Sequence, residues 1–120
     1  MPYSSQTQQK LCYDVIATIA DGDTTSNAVD VGGTSILAFI TDANLDATTF
    51  TFLSSNTLAG TYFPLKDMGT GIALVSQTGT SAQYATLPAD LTSVEYLKIV
   101  ANTAQSGADT SITLVTRSLA

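Results

Sequence analysis

The chain has no histidine, no tryptophan, a single cysteine and only four cationic side chains among its 120 residues. Each shortage removes a class of function. Without an imidazole, neither Cys12 nor any of the many serines has the base that a nucleophile needs. A single cysteine also forms no internal disulfide. Cys12 reads as a small apolar packing residue and leaves the redox compartment open. The cations Lys10, Lys66, Lys98 and Arg117 are scattered over a chain of net charge −6. They cannot neutralise a run of phosphates or grip an anionic bilayer, so neither nucleic acid nor membrane is expected as a partner. No apolar run approaches the roughly 20 residues of a membrane span. Residues 1–6 lack the basic and apolar regions of a signal peptide, and the expectation is synthesis and use without secretion.

Charged residues make up 12% of the chain, about half the usual share. Threonine and serine take their place. Threonine suits the half-buried face of a sheet, and few Lys or Glu remain to keep sheet edges from pairing with other chains. Part of this surface is therefore expected to be buried in an oligomer or assembly. The acids, aspartates apart from Glu95, are strewn over turns and strand ends. No pair stands out as general acid and base. Gly69-Thr70-Gly71 lacks the rest of a phosphate-cradling loop. No catalytic residue, metal or cofactor is assigned, and the chain is expected not to be an enzyme.

What the sequence does contain is strand pattern. Ser35–Thr41 is apolar on both alternating faces, with Ile36, Ala38 and Ile40 on one and Leu37 and Phe39 on the other. Such a strand needs cover on both sides. Thr48–Ser54 alternates, with Phe50 and Phe52 on one face. Polar turn formers from Asp42 to Asp46 separate the two runs, which suggests an antiparallel pair at the middle of a sandwich. Further strands are expected at Leu11–Ala20, Ala28–Val31, Thr61–Lys66, Ile72–Val75, Gln83–Leu87, Glu95–Ala101 and Thr110–Thr116. Pro64 cannot donate to a ladder and marks an edge. Pro88–Ser93 suits one short helical turn. Strands at intervals of about ten residues without a long helix predict an all-β, single-domain antiparallel sandwich of jelly-roll type over residues 11–120. Residues 1–10 are polar and unpatterned and form an N-terminal arm, either frayed or ordered on a partner.

Asp21-Gly22-Asp23-Thr24-Thr25-Ser26-Asn27 offers oxygen ligands in Asp21, Asp23 and Asn27. The spacing is not that of a calcium loop and no bidentate Glu follows. A tight turn using Gly22 is the reading preferred.

The order of segments carries a resemblance. Ile19-Ala20-Asp21-Gly22-Asp23 through Val29-Asp30-Val31-Gly32-Gly33 precedes the apolar strand. Thr49-Phe50-Thr51-Phe52-Leu53-Ser54-Ser55 then turns into Gly60-Thr61-Tyr62-Phe63-Pro64-Leu65. Leu87-Pro88-Ala89-Asp90 leads to Tyr96-Leu97-Lys98-Ile99-Val100, and Thr110-Ser111-Ile112-Thr113-Leu114-Val115-Thr116-Arg117 closes the pattern. Over residues 15–117 this resembles small virion proteins of tailed bacteriophages, similar to capsid decoration or cement proteins. Where members tend to have a tight Asp-Gly turn after the Phe strand, this chain has Ser55–Gly60. The resemblance implies a β-sandwich bound to the major capsid protein, often a homotrimer, that braces the head. It would be made in the bacterial cytoplasm and reside on the virion's capsid surface. Tyr3, Leu37 and Phe39 are the candidate subunit or capsid contacts. A tail or fibre component is the alternative. So is a carbohydrate-binding sandwich using Tyr62, Tyr84 or Tyr96 as its platform.

Overall fold

The computed structural model describes residues 12–65, 76–77, 84–86 and 94–118. Nine strands are present among them: β1 (Cys12–Ile19), β2 (Val29–Asp30), β3 (Thr34–Ile40), β4 (Thr49–Ser55), β5 (Phe63–Pro64), β6 (Ser76–Gln77), β7 (Tyr84–Thr86), β8 (Tyr96–Ala101) and β9 (Thr110–Ser118). The expectations at 72–75 and 88–93, like the arm, fall outside the described residues.

All the pairings are antiparallel and they nest. β1 pairs with β9, β2 with β8, β3 with β7, and β4 with the short β5 and β6. This is one long hairpin, first strand against last, rolled so that β9 also meets β3 and β8 also meets β4. The result is two sheets, β1-β9-β3-β7 (sheet A) and β2-β8-β4-β5 with β6 beside β4 (sheet B). That is the double-sheet jelly roll. The all-β sandwich read from strand spacing is the fold observed, and Pro64 does sit on an edge strand.

The expected β3–β4 hairpin is corrected. The two strands follow one another in sequence but lie in different sheets. The reason is in the link. Asp42 forms a local turn, accepting from the Asn44 N–H at 3.0 Å. Beyond it Leu45 and Ala47 are buried, at 2% and 0% exposure. A hairpin loop would leave these two in water; an arch between the sheets packs them into the end of the core.

That core lies between the sheets. Ala17, Ile19, Ile36, Phe39, Ile112 and Leu114 of sheet A meet Val29, Phe50, Phe52, Leu97 and Ile99 of sheet B. At its centre the Phe39 and Phe50 rings are 5.3 Å apart and tilted by 56°, an arrangement that aromatic quadrupoles favour.

Strict alternation in β3 fails at one place. Ile36 lies opposite Thr116 and Ala38 opposite Val115, so Leu37 is an extra residue, a β-bulge. The bulge shifts the parity of everything after it. Ile36 and Phe39 therefore both face the core, while Ile40, opposite Thr113, faces out.

Candidate interaction surface

The outer face of sheet A carries an exposed aliphatic surface among the described residues. In register across β1, β9 and β3 lie Ile16, Thr113 and Ile40, and beside that row Asp14, Val115 and Ala38. Ile16 is 57% exposed and Leu37, thrown outward by the bulge, 41%; Ile40, Thr113 and Val115 are half-buried. Among the described residues, charge on this face is limited to Asp14 at one side and Arg117 at its end, both exposed.

Of the three candidate contacts, Leu37 is on this surface. Phe39 is not: at 1% exposure it belongs to the core against Phe50, because the bulge turns it inward. Tyr3 lies outside the described residues. Sequence reasoning missed Ile16 and put Ile36 and Ile40 on one face, whereas the bulge leaves Ile36 in the core and turns Ile40 outward. Ile16 had a signal, since it is the one large aliphatic on the otherwise polar face of β1. The bulge had none beyond an apolar run too uniform to declare its own faces.

The outer face of sheet B is different. Lys98 Nζ stands 4.3 Å from the centre of the Tyr62 ring, a cation–π contact, and the Tyr62 hydroxyl donates to the Leu58 carbonyl at 2.8 Å. The ring face that a sugar would stack on is thus occupied by an ammonium. Tyr96 is half-buried on the same face; the side chain of Tyr84 lies outside the described residues. Leu58 and Phe63 are 59% and 63% exposed in and after the β4–β5 loop.

One end of the sandwich is bound together by side chains. Gln105, 2% exposed, accepts from the Asp46 N–H at 2.9 Å and donates to the carbonyls of Asn44 at 2.8 Å and Ala108 at 3.0 Å. Asp46 returns a bond, accepting from the Ser106 N–H at 2.8 Å. Asp21 accepts from the Gly107 N–H at 2.9 Å, and the Asp21 N–H donates to Asp109 at 2.8 Å. Both glycines on these loops, Gly22 and Gly107, have positive φ, 91° and 92°, which other residues adopt only with strain. Asp42 accepts from the Thr110 hydroxyl at 2.6 Å, the Ser111 N–H at 2.9 Å and the Asn44 N–H. Burial alone would raise the Asp42 carboxyl; these three bonds outweigh it and hold it below the ordinary aspartate value.

The oxygen-rich segment at 21–27 does not converge. Asp21 is engaged with Gly107, whereas Asn27 turns away to accept from the Thr18 N–H at 2.8 Å. Among the described residues no group of three or more His, Cys, Asp or Glu side chains is gathered to hold a metal ion.

No protein-family model matches the chain, and no curated protein matches it. Among solved structures its fold is similar to that of the SPBc2 prophage-derived protein YomS. The TM-score is 0.54 at 12% identity, over 89% of this chain and 96% of that one. At that identity the likeness is one of fold.

Proposed function

We propose that this chain is a structural protein of a tailed-phage virion, a decoration protein that lies on the major capsid protein lattice and stabilises the head. The observation that carries the reading is the outer face of sheet A. Ile16, Leu37, Ile40 and Val115 form an aliphatic surface on a chain with few charges to keep it in water. Covering one such side chain contributes roughly 1.5 to 3 kcal/mol. A ligand that binds only the assembled lattice stabilises that lattice by mass action. The jelly-roll fold shared with a prophage-derived protein and the order of sequence segments support the same reading. No catalytic step is required of it.

The test is made on the source particle. Quantitative mass spectrometry should find the protein in purified heads at a copy number comparable to that of the major capsid protein. Heads lacking it should release DNA at a lower temperature, and adding the purified protein back should restore their resistance. Presence in only a few copies, at one end of the tail, would move the assignment to a tail component.

A further inference from the structure

Asp21-Gly22 is the one place in the chain where an aspartate or asparagine precedes a glycine. An aspartate so placed can react with its own backbone, because glycine has no side chain to shield the nitrogen that follows the carboxyl. Other aspartates precede β-branched residues, as at Asp14-Val15, Asp23-Thr24 and Asp30-Val31, whose stiff side chains crowd that nitrogen. Asp21 and Gly22 are both exposed, so water reaches them. The fold, however, engages each reacting group elsewhere. The Gly22 N–H donates to the Gln105 carbonyl at 2.7 Å, and the Asp21 carboxylate accepts from the Gly107 N–H at 2.9 Å. Further bonds fix the turn around them. The Asp23 N–H donates to the Ala20 carbonyl at 2.9 Å, the Gln105 N–H to the Asp23 carbonyl at 3.0 Å, and the Asp21 N–H to Asp109 at 2.8 Å. Apart from Ala20, every one of these partners outside the turn belongs to the β8–β9 loop, which the Gln105 side chain anchors to the β3–β4 arch. The Gly22 nitrogen is free to line up with the Asp21 carboxyl carbon only when that loop lets go.

We infer that Asp21-Gly22 is a self-modification site, converted to isoaspartate when the β8–β9 loop opens, and that the bonds from Gln105, Gly107 and Asp109 keep it intact while the loop is closed. The Gly22 nitrogen attacks Cγ of the Asp21 carboxyl in its acid form. The nitrogen's proton and the carboxyl hydroxyl leave together as one water, and a five-membered succinimide ring closes. A second water opens the ring. Cleavage of the new bond to Cγ regenerates aspartate, whereas cleavage of the original peptide bond leaves isoaspartate. One water is lost and one regained, and nothing is oxidised or reduced. In isoaspartate the backbone runs through Cβ and Cγ, and the free carboxylate sits on Cα. The N–H and carboxylate of residue 21 then no longer stand at the spacing that Asp109 and Gly107 meet, so the loop does not reclose as before. Transient local openings of this kind occur in every fold; here one of them is recorded as a lasting covalent change. The inference does not rest on the capsid reading.

The experiment incubates the full-length protein at neutral pH and physiological temperature, folded and in urea. Isoaspartate is measured by enzymatic methylation with isoaspartyl methyltransferase and located by fragmentation mass spectrometry of the peptide that contains residue 21. In urea it should build up at residue 21 ahead of every other aspartate. In the folded protein the rate there should be lower by about tenfold or more, the factor by which the closed loop outweighs the open one. Gln105→Ala, which loosens the loop, and Asp109→Ala, which removes the acceptor of the Asp21 N–H from an exposed position, should each raise the folded-state rate several-fold. Circular dichroism checks that both variants remain folded. Folded protein that carries isoaspartate should lose hydrogen-exchange protection at the Gly107 amide. Equal rates in folded and unfolded protein, no isoaspartate at residue 21 in urea, or unchanged rates in both folded variants would each overturn the inference.

Discussion

Phe39 and Phe50 lie on strands that are neighbours in sequence but belong to opposite sheets, and their rings meet at 5.3 Å across the interior. Two residues before Phe39, Leu37 is 41% exposed. The β3 bulge makes these two apolar residues energetically unlike each other. Phe39→Ala should destabilise the fold by about 3 to 5 kcal/mol, the cost of a large core cavity. Leu37→Ser should stay within about 0.5 kcal/mol of the parent. Urea denaturation of the two variants measures this directly. Equal losses would mean that Leu37 is packed inside and the bulge misplaced.

Gln105, in the β8–β9 loop, ties that loop to the β3–β4 arch through part-buried bonds to Asn44 and Asp46, and closes the loop on Ala108. Gln105→Ala leaves those backbone groups short of partners, with an expected loss of about 1 to 3 kcal/mol. Hydrogen exchange should quicken at the Asp46 and Ser106 amides first, while the β4 and β8 amides change little. Uniform acceleration across both sheets would count against a local role.

Asp42 gives the stability a pH dependence whose sign follows from its bonds. Its carboxyl is held below the ordinary aspartate value of about 3.9 in the folded chain. Its contribution is therefore complete above that value, diminishes as pH falls through it, and is gone below the depressed folded value. In thermal melts taken at decreasing pH, Asp42→Asn should start from a lower melting temperature and fall less steeply than the parent. Parallel curves would show that the acid sensitivity arises elsewhere.

The outer face of sheet A should be separable from folding. Ile16→Lys combined with Leu37→Lys places two cations where the side chains are exposed. The melting temperature should change little, while occupancy on heads should drop at least tenfold if roughly 1.4 kcal/mol or more of contact is lost. A binding assay with purified heads decides it. Full occupancy by this variant would move the contact to another face.

Much of the fold could be read from spacing and turn chemistry, because strands half-buried on one face must alternate and must be punctuated. β8 and β9 obey that rule residue by residue and β1 does so from Val15 onward, and the inward positions Ala17, Ile19, Leu97, Ile99, Ile112 and Leu114 are all buried. The sequence was less informative where partners are far away in the chain. Whether β3 turns back onto β4 or arches over to the other sheet depends on where Leu45 and Ala47 find cover, and that cover comes from strands distant in sequence. The bulge at Leu37 is likewise set by pairing with β9. It moved Phe39 off the candidate surface and brought Ile40 onto it.

The nested hairpin also sets an order on biosynthesis. The Thr116 hydroxyl bonds to the Tyr13 carbonyl across 103 residues of sequence, and β9 is the strand that lies between β1 and β3. Until β9 has left the ribosome, β1 has no neighbour and β3 lacks one of its two. Sheet A is thus completed only after translation has passed β9, and contacts of such long range make for slow folding. A ribosome stalled before Thr110 should carry a nascent chain that a protease cuts throughout, whereas a chain tethered by a linker long enough to expose Ser118 should be resistant.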